Sequence, residues 1–194
     1  MGELYSGTPS GPPPFTIRIA DERDLPALAE LRRVWLEERL GNPIADPGFA
    51  ASFASWWRAE LPRRTFWVAE VGNERSGFTM VGSLNVVEIV HMPRPGGRAG
   101  RWGHVGNAFV LASFTDRGVP SALLAEAVEH ARRQRYQRLV LAPTAGSASF
   151  YRRAGFRPAG DGMLVLDPLR PDDGNESSAE SAAQSAPQPA AEQR

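Results

Sequence analysis

The segment from Asn107 to Leu124 has the composition of an anion-binding turn. It begins as a predicted strand, passes through Arg117 and Gly118, and continues as a helix with Pro120 in its first turn. Glycine lets a phosphate approach the backbone closely, and proline suits the first helical position because its missing N–H has no intrahelical role there. The free N–H groups and the positive end of the helix dipole then favour an anion. An ordinary helix start beside a turn is the alternative.

A second segment, from Ser147 to Phe156, carries a tyrosine that has the chemistry of a general acid. The pattern predicts a short helix that contains Tyr151 and ends at Gly155. Because the ordinary pKa of tyrosine lies near 10, its hydroxyl is protonated at neutral pH and suits donation to a thiolate leaving group. Taken alone, Tyr151 is equally compatible with a structural role in the core.

Two side chains in the middle of the chain are candidates for a general base. Glu88 lies late in one predicted strand, and His104 opens the next. Histidine side chains titrate close to neutral pH, which suits removal of a proton from an amine. Asn107 points to the opposite face from His104 in a regular strand, so the two line one cleft only if a bulge intervenes. Solvent is the alternative acceptor of the proton.

Together, in this order, the two segments resemble the GNAT acyltransferase superfamily. The strand Asn107–Leu111 and the turn Arg117-Gly118-Val119 resemble its acetyl-CoA-binding motif. The run from Phe150 to Phe156 resembles its second signature, an aromatic residue and tyrosine followed by Gly-Phe. The resemblance covers residues 16–166, including an opening strand followed by a leucine-rich helix.

The resemblance implies an N-acetyltransferase that moves an acetyl group from acetyl-CoA to a primary amine of a small molecule or protein by direct attack. It implies two splayed strands with the pantetheine arm between them, and Tyr151 as the general acid. The implied cofactor-binding residues fall into two groups. The pantetheine arm would pair with Phe109, Val110 and Leu111. The pyrophosphate would lie on the turn formed by Arg117, Gly118, Val119, Pro120 and Ser121.

Three residues depart from the family pattern. Thr115 occupies the position of the family's first Gln or Arg, and Pro120 occupies that of its final Gly or Ala. Thr144 stands where many members have an asparagine that contacts the cofactor. The alternative function is therefore a catalytically degenerate GNAT-fold protein that binds a ligand or serves in an interaction.

Hydrophobic periodicity predicts the elements that must position these residues. The predicted order is β-α-α-β-β-β-α-β-α-β. A helix follows Asp21 or Asp24, a loop spans Met92 to Gly103, and the strands cover residues 16–20, 65–71, 79–90, 104–111, 138–142 and 163–166. The other helices cover about 47–61, from 118 onward, and 147–154.

This order predicts an α/β (α+β) fold with a mixed, mostly antiparallel central sheet and helices on both faces. Residues 1–14 are rich in Gly, Pro and Ser and are predicted to be a flexible arm. Residues 15–167 are predicted to form the acetyltransferase domain. Residues 168–194 have almost no large apolar side chains, so we expect a disordered tail.

Composition limits the other function classes. The 194 residues contain no cysteine, and 22 basic residues balance 22 acidic ones. We therefore expect no disulfide, no metal site and no electrostatic attraction to nucleic acid or an anionic membrane. No apolar run has the length of a membrane helix, and the chain start lacks the pattern of a signal peptide, so a cytoplasmic location is expected. The sequence leaves a homodimer open.

Two further sets of residues allow two interpretations each. Arg94, Arg98 and Arg101 lie in a Gly-rich segment, where they could attract an acidic substrate or simply be solvated. The tryptophans of the first two predicted helices could line a substrate wall, although their helical spacing favours a place in the core: Trp35, Trp56 and Trp57.

Overall fold

The computed structural model describes residues 15–97, 99–144 and 146–159. The chain divides into two units after Ala154. All of the described helices and strands belong to the first unit, and residues 155–159 form neither. The predicted arm at residues 1–14, the predicted strand at 163–166 and the predicted tail at 168–194 lie outside the described residues. The domain boundaries therefore stay predictions.

Five strands form one sheet, in the order β1 to β5. Each of the first four pairs antiparallel with its neighbour, and β5 runs parallel to β4. The strands are β1 Phe15–Ile19, β2 Arg64–Asn73, β3 Gly77–Val90, β4 Arg101–Val110 and β5 Arg138–Val140. The predicted mixed, mostly antiparallel sheet is confirmed.

Helices cover both faces of this sheet, as predicted. The helices are α1 Leu25–Leu40, α2 Phe49–Glu60, α3 Val119–Arg133 and α4 Ala148–Arg153. On one face, Leu28 of α1 and Trp57 of α2 belong to a core cluster with Phe66 and Val68 of β2. The neighbouring Trp67 points to the other face, where its ring lies 5.1 Å from that of His130 on α3. The alternation of strand side chains therefore divides the core between two helical layers.

The start of α1 is tied to the sheet by an ion network. Arg18 of β1 donates to both carboxylate oxygens of Asp24 at 2.6 and 2.7 Å, and to Glu70 of β2 at 2.5 and 2.9 Å. Asp24 also accepts from the backbone N–H of Asp21, which completes a capping box. Burial would raise the pKa of Asp24, but its hydrogen bonds outweigh that effect and the pKa lies below its ordinary value.

The prediction of a loop from Met92 to Gly103 is wrong for its last three residues. Arg101, Trp102 and Gly103 already belong to β4, where they pair with Val90, Ile89 and Glu88 of β3. The glycines of this segment suggested an irregular loop, but Gly103 has a different role. It lies within the sheet at a place where only a small residue fits. A Cβ there would lie 2.5 Å from Leu139 Cδ2 and 2.8 Å from Val86 Cγ1.

Candidate active site

The strands β4 and β5 separate after a short paired stretch. Among the described residues they pair only over Trp102–His104 with Arg138–Val140. Beyond that point, Val105–Phe109 on one strand and Leu141, Ala142 and Thr144 after the other line one cavity of about 760 Å³. The separation opens a cleft in the sheet, and the backbone groups along one wall of it have no partner strand among the described elements.

A bulge at Asn107 lies at this opening. Ser83 of β3 pairs with Phe109, but Asn85 pairs with Gly106, so β4 has one residue more than β3 across this stretch. Asn107 takes up the extra residue with a φ of +49°, in the left-handed region that asparagine tolerates better than most residues. The bulge that His104 and Asn107 would need in order to share a cleft is therefore present.

The register beyond the bulge decides which backbone groups face the opening. The Leu111 N–H donates to the Val81 carbonyl of β3 over 2.9 Å. Backbone groups alternate in direction along a strand, so the N–H and C=O of Val110 point away from β3, toward the separated strand. Phe109 lines the cavity itself. The segment predicted to pair with a pantetheine arm thus has a hydrogen-bonding edge at Val110 that no described strand occupies.

Aromatic side chains from both N-terminal helices form the opposite wall of the cavity. Trp35 of α1 and Phe53 and Trp56 of α2 line it, together with Phe66 of β2. Trp57 is 3% exposed and lies in the core instead. The core interpretation therefore holds for Trp57, whereas Trp35 and Trp56 line a cavity.

Helix α4 brings Tyr151 to the same cavity. Partial burial raises the pKa of Tyr151 above its ordinary value, so the hydroxyl stays protonated at neutral pH. Thr144 and Ser147 also line the cavity, and their hydroxyls lie 2.9 Å apart. Of the described side chains that border the cavity, Tyr151 is the one best suited to donate a proton.

The turn that was predicted to bind an anion lies directly before α3. Gly118 adopts a φ of +81°, and a Cβ there would meet nothing within 4 Å. Val119 and Ser121 follow in the first helical turn, where backbone N–H groups have no intrahelical acceptor, and Pro120 has no N–H to offer. Arg117 stacks on Phe114 at 4.9 Å and has no ion-pair partner among the described residues.

A second groove, of about 390 Å³, adjoins this turn. Ser121, Leu124 and Val128 of α3 line one side, and Phe150 and Arg153 of α4 line the other.

The two candidate bases lie in different places. His104 is exposed and shares a sheet face with Gly106, which lines the cavity. A Cβ at Gly106 would lie 3.8 Å from His104 Nδ1, so the imidazole stands beside the cavity wall. Glu88 does not line the cavity. Its carboxylate pairs with Arg101 at 3.3 Å, and together with burial it raises the pKa of Tyr136 to about 12.

The family model for the acetyltransferase (GNAT) family matches residues 27–156. The chain belongs to the GNAT family. Acetyl transfer is the chemistry that this membership supports, and the splayed strands, the Gly118 turn and Tyr151 all lie within the matched residues. A search of curated protein sequences finds no significant match.

Solved structures share the GNAT fold with this chain. A predicted acetyltransferase from Clostridium acetobutylicum, solved with acetyl-CoA, has a TM-score of 0.64 at 19% identity, covering 79% of this chain and 96% of its own. An acetyltransferase from Trypanosoma brucei has a TM-score of 0.59 at 25% identity, covering 79% and 99%. Glucosamine-6-phosphate N-acetyltransferase from Arabidopsis thaliana has a TM-score of 0.61 at 16% identity, covering 79% and 98%.

Sequence reasoning missed several residues that line the cavity, and Asn85 is the most deeply buried polar one among them. Asn85 is 1% exposed and lines the cavity in the middle of β3. Its Oδ1 accepts a hydrogen bond of 2.6 Å from Arg64, which Glu60 holds at 2.8 Å. A lone amide within the apolar run Leu84 to Val87 was the available signal, because a buried amide needs a polar partner.

The described part of the GNAT domain contains neither a metal-binding cluster nor a membrane-spanning helix. No group of three His, Cys, Asp or Glu side chains is placed to hold a metal ion within residues 15–97, 99–144 and 146–159. None of the helices in those ranges has both the length and the apolar character that crossing a bilayer requires.

Proposed function

We propose that this protein transfers the acetyl group of acetyl-CoA to a primary amine of a small molecule or protein. The observation that carries the proposal is the separation of β4 from β5, because Tyr151 borders the cavity that the separation opens. A cleft with a free backbone edge on one side and a protonated hydroxyl at its border suits a thioester that must be held and then broken.

The described residues fit acetyl-CoA as a co-substrate. The turn from Arg117 to Ser121 would hold the pyrophosphate through N–H groups and the helix dipole. The free edge at Val110 would pair with the pantetheine amides, with Phe109 and Leu111 on either side. The groove between α3 and α4 would take the rest of the cofactor, with Arg153 at its border.

In the proposed reaction, the amine nitrogen attacks the thioester carbonyl carbon, the carbon–sulfur bond breaks, and Tyr151 gives its proton to the departing thiolate. Holding both reactants in one cavity contributes much of the rate, because it converts a bimolecular step into an effectively intramolecular one. Backbone N–H groups of β4 near the bulge can polarise the carbonyl oxygen. As the amide forms, the attacking nitrogen loses a proton that restores the Tyr151 hydroxyl through solvent. Before attack, the protonated amine must lose one further proton to a base.

We propose His104 as the acceptor of that proton, directly or through water. Its place beside Gly106 puts the imidazole at the cavity wall, whereas Glu88 is engaged by Arg101 away from the cavity. Glu88 stays the alternative base, and solvent is the third acceptor.

A coupled assay tests the proposal directly. Full-length protein is incubated with acetyl-CoA and a panel of primary amines, and release of free CoA thiol is followed while mass spectrometry identifies the acetylated product. We expect one CoA per acetylated amine. Tight binding of acetyl-CoA without product from any amine would overturn the enzyme assignment in favour of a degenerate, ligand-binding GNAT protein.

The finer sequence expectations stay predictions beside this proposal. They are a cytoplasmic location, no nucleic-acid or membrane partner, no metal requirement and an open possibility of a homodimer.

A further inference from the structure

Two arginines on the cavity side of α1 have no carboxylate partner in the described part of the chain. Arg32 and Arg39 both line the cavity, and neither forms an ion pair with any residue in the described ranges. Their neighbour Arg33 is paired with both Glu30 and Glu37 on the same helix. The acidic residues of α1 therefore neutralise the arginine that faces away from the cavity and leave two positive charges at its wall.

Both guanidinium groups contact the same aromatic ring. Arg32 lies 4.1 Å from the ring centroid of Trp35, and Arg39 lies 5.5 Å from it. Burial lowers the pKa of Arg32, and the positive charge of Arg39 lowers it further. Two like charges held this close repel each other, and an anion between or beside them would remove that cost.

The rest of the cavity wall reinforces this positive character. Among the described residues that line it there is no aspartate or glutamate. Such a wall attracts a negatively charged ligand group and repels a cation-rich peptide. Guanidinium groups are also well suited to carboxylate and phosphate, because they can donate two parallel hydrogen bonds.

Asn85 provides a second, independent indication of a ligand. Its Oδ1 is used by Arg64, which leaves Nδ2 as a donor at the cavity wall with no hydrogen-bond partner among the described residues. The residue as a whole is 1% exposed, and it lines the cavity. A ligand oxygen that accepts from Nδ2 would therefore gain a hydrogen bond that no described residue competes for.

We propose that the acceptor substrate is a primary amine that also carries an anionic group, a carboxylate or a phosphate, bound by Arg32 and Arg39, while Asn85 donates to an acceptor oxygen. This inference rests on the proposed acetyl transfer, because it names the substrate class of that site. The cofactor's own phosphates are the competing ligand for the two arginines. The contact between Arg32 and Asn107, at the bulge rather than at the start of α3, favours the acceptor.

Matched acceptors separate the anion from the rest of the molecule. Phenylalanine is compared with phenylalaninamide, and 2-aminoethyl phosphate with ethanolamine, using full-length protein and acetyl-CoA. The first pair tests a carboxylate next to the aromatic wall, and the second tests a phosphate. We expect the anionic member of at least one pair to have the higher kcat/KM.

Two variants and a control assign that preference to residues. Arg32→Gln and Arg39→Gln should each lower kcat/KM for the anionic acceptor by about 10- to 100-fold, as expected for the loss of charge-assisted hydrogen bonds, and change that for its neutral partner little. Arg33→Gln on the same helix should leave the ratio unchanged. The quantity compared between variants is the ratio of kcat/KM for the anionic acceptor to that for its neutral partner. The two amines differ in basicity, but that difference is the same in every variant and therefore cancels.

Calorimetry with CoA-loaded protein gives a readout that needs no turnover. We expect 2-aminoethyl phosphate or phenylalanine to bind more tightly than its neutral partner, and Arg39→Gln to remove the difference. If no amine releases CoA, the transfer function fails while this binding measurement still decides the anion site. Equal affinities for the charged and neutral partners would overturn the inference. It would also be overturned if Arg32→Gln and Arg39→Gln lowered only the affinity for acetyl-CoA.

Discussion

Arg32 of helix α1 donates from Nη1 to Oδ1 of Asn107 over 3.2 Å, and so joins the helix to the bulge where β4 leaves β5. The contact spans the cavity wall and brings a positive charge to the residue that opens the sheet. Two features therefore stabilise the bulge: the left-handed backbone conformation of Asn107, and the hydrogen bond from Arg32 of helix α1.

Replacement of Asn107 tests the backbone conformation. Asn107→Val should destabilise the fold by about 1 to 2 kcal/mol, because a β-branched residue is strained at positive φ. Asn107→Gly removes the same Arg32 contact without that strain and serves as the control. The measurement is the free energy of unfolding in urea, with KM for acetyl-CoA alongside. Equal free energies of unfolding for the two variants would show that a β-branched residue is not strained at position 107.

Removal of the Tyr151 hydroxyl tests the general acid. Tyr151→Phe keeps the ring beside Phe150, whose centroid lies 5.0 Å away, but cannot donate a proton. We expect kcat to fall by ~10² to 10⁴ with little change in acetyl-CoA affinity. Tyr136→Phe is the matched control, since that tyrosine contacts His130 on the face covered by α3. A Tyr151 variant with wild-type kcat would reduce this residue to a structural role.

A carboxylate at Gly118 tests the anion-binding turn. Gly118→Glu should weaken acetyl-CoA binding strongly, because it places bulk and negative charge where the pyrophosphate is proposed to lie. Gly77→Glu carries the same backbone strain, since its φ is +76° and a Cβ there also meets open space, but Gly77 is the first residue of β3, far along the chain from the proposed phosphate site. Calorimetry should therefore show weak binding for the first variant only. Similar affinities in both would remove the phosphate site from this turn.

The ion network at Asp24 predicts a dependence of stability on pH. The folded-state pKa of Asp24 is lowered from its ordinary value of 3.8, so its contribution is fully present above that value and is lost as the pH falls through the folded-state pKa. Asp24→Asn should cost about 2 kcal/mol at pH 7, as expected for buried charged hydrogen bonds. The variant should also lose less stability than the wild-type protein between pH 4 and pH 2.

Urea unfolding at several pH values measures that difference. Glu38→Gln, on the exposed side of α1, provides a charge-matched control and should follow the wild-type curve. Parallel curves for Asp24→Asn and wild-type protein would show that the network contributes no pH-dependent stability.

The choice between the two candidate bases is open to a direct comparison. His104→Gln should lower kcat/KM by ~10² and weaken its dependence on pH, whereas Glu88→Gln should leave both close to wild type. The reason is position: His104 stands beside Gly106 at the cavity wall, and Glu88 is held by Arg101. If neither variant changes the pH profile, solvent accepts the proton.

The sequence by itself determined the order of the elements from β1 to α4, the family signatures, and the turn before α3 and the short helix around Tyr151. Strand alternation and helical spacing are properties of neighbouring residues, so β2, β3 and α3 were predicted within a few residues. The positive φ of Gly118 follows from its own type and its place before a helix. Such features depend on short-range backbone preferences and need no knowledge of distant contacts.

Only the tertiary structure decided which side chains meet at the cavity. Periodicity assigns a residue to a face of its own element, but it does not say which element that face meets. Trp56 and the adjacent Trp57 therefore separated into cavity wall and core only when α2 packed on β2. The bulge at Asn107 shifted the phase of β4 by one residue, which no pattern within that strand reveals. Asn85 and Arg64 are 21 positions apart, and only the pairing of β2 with β3 brings them together.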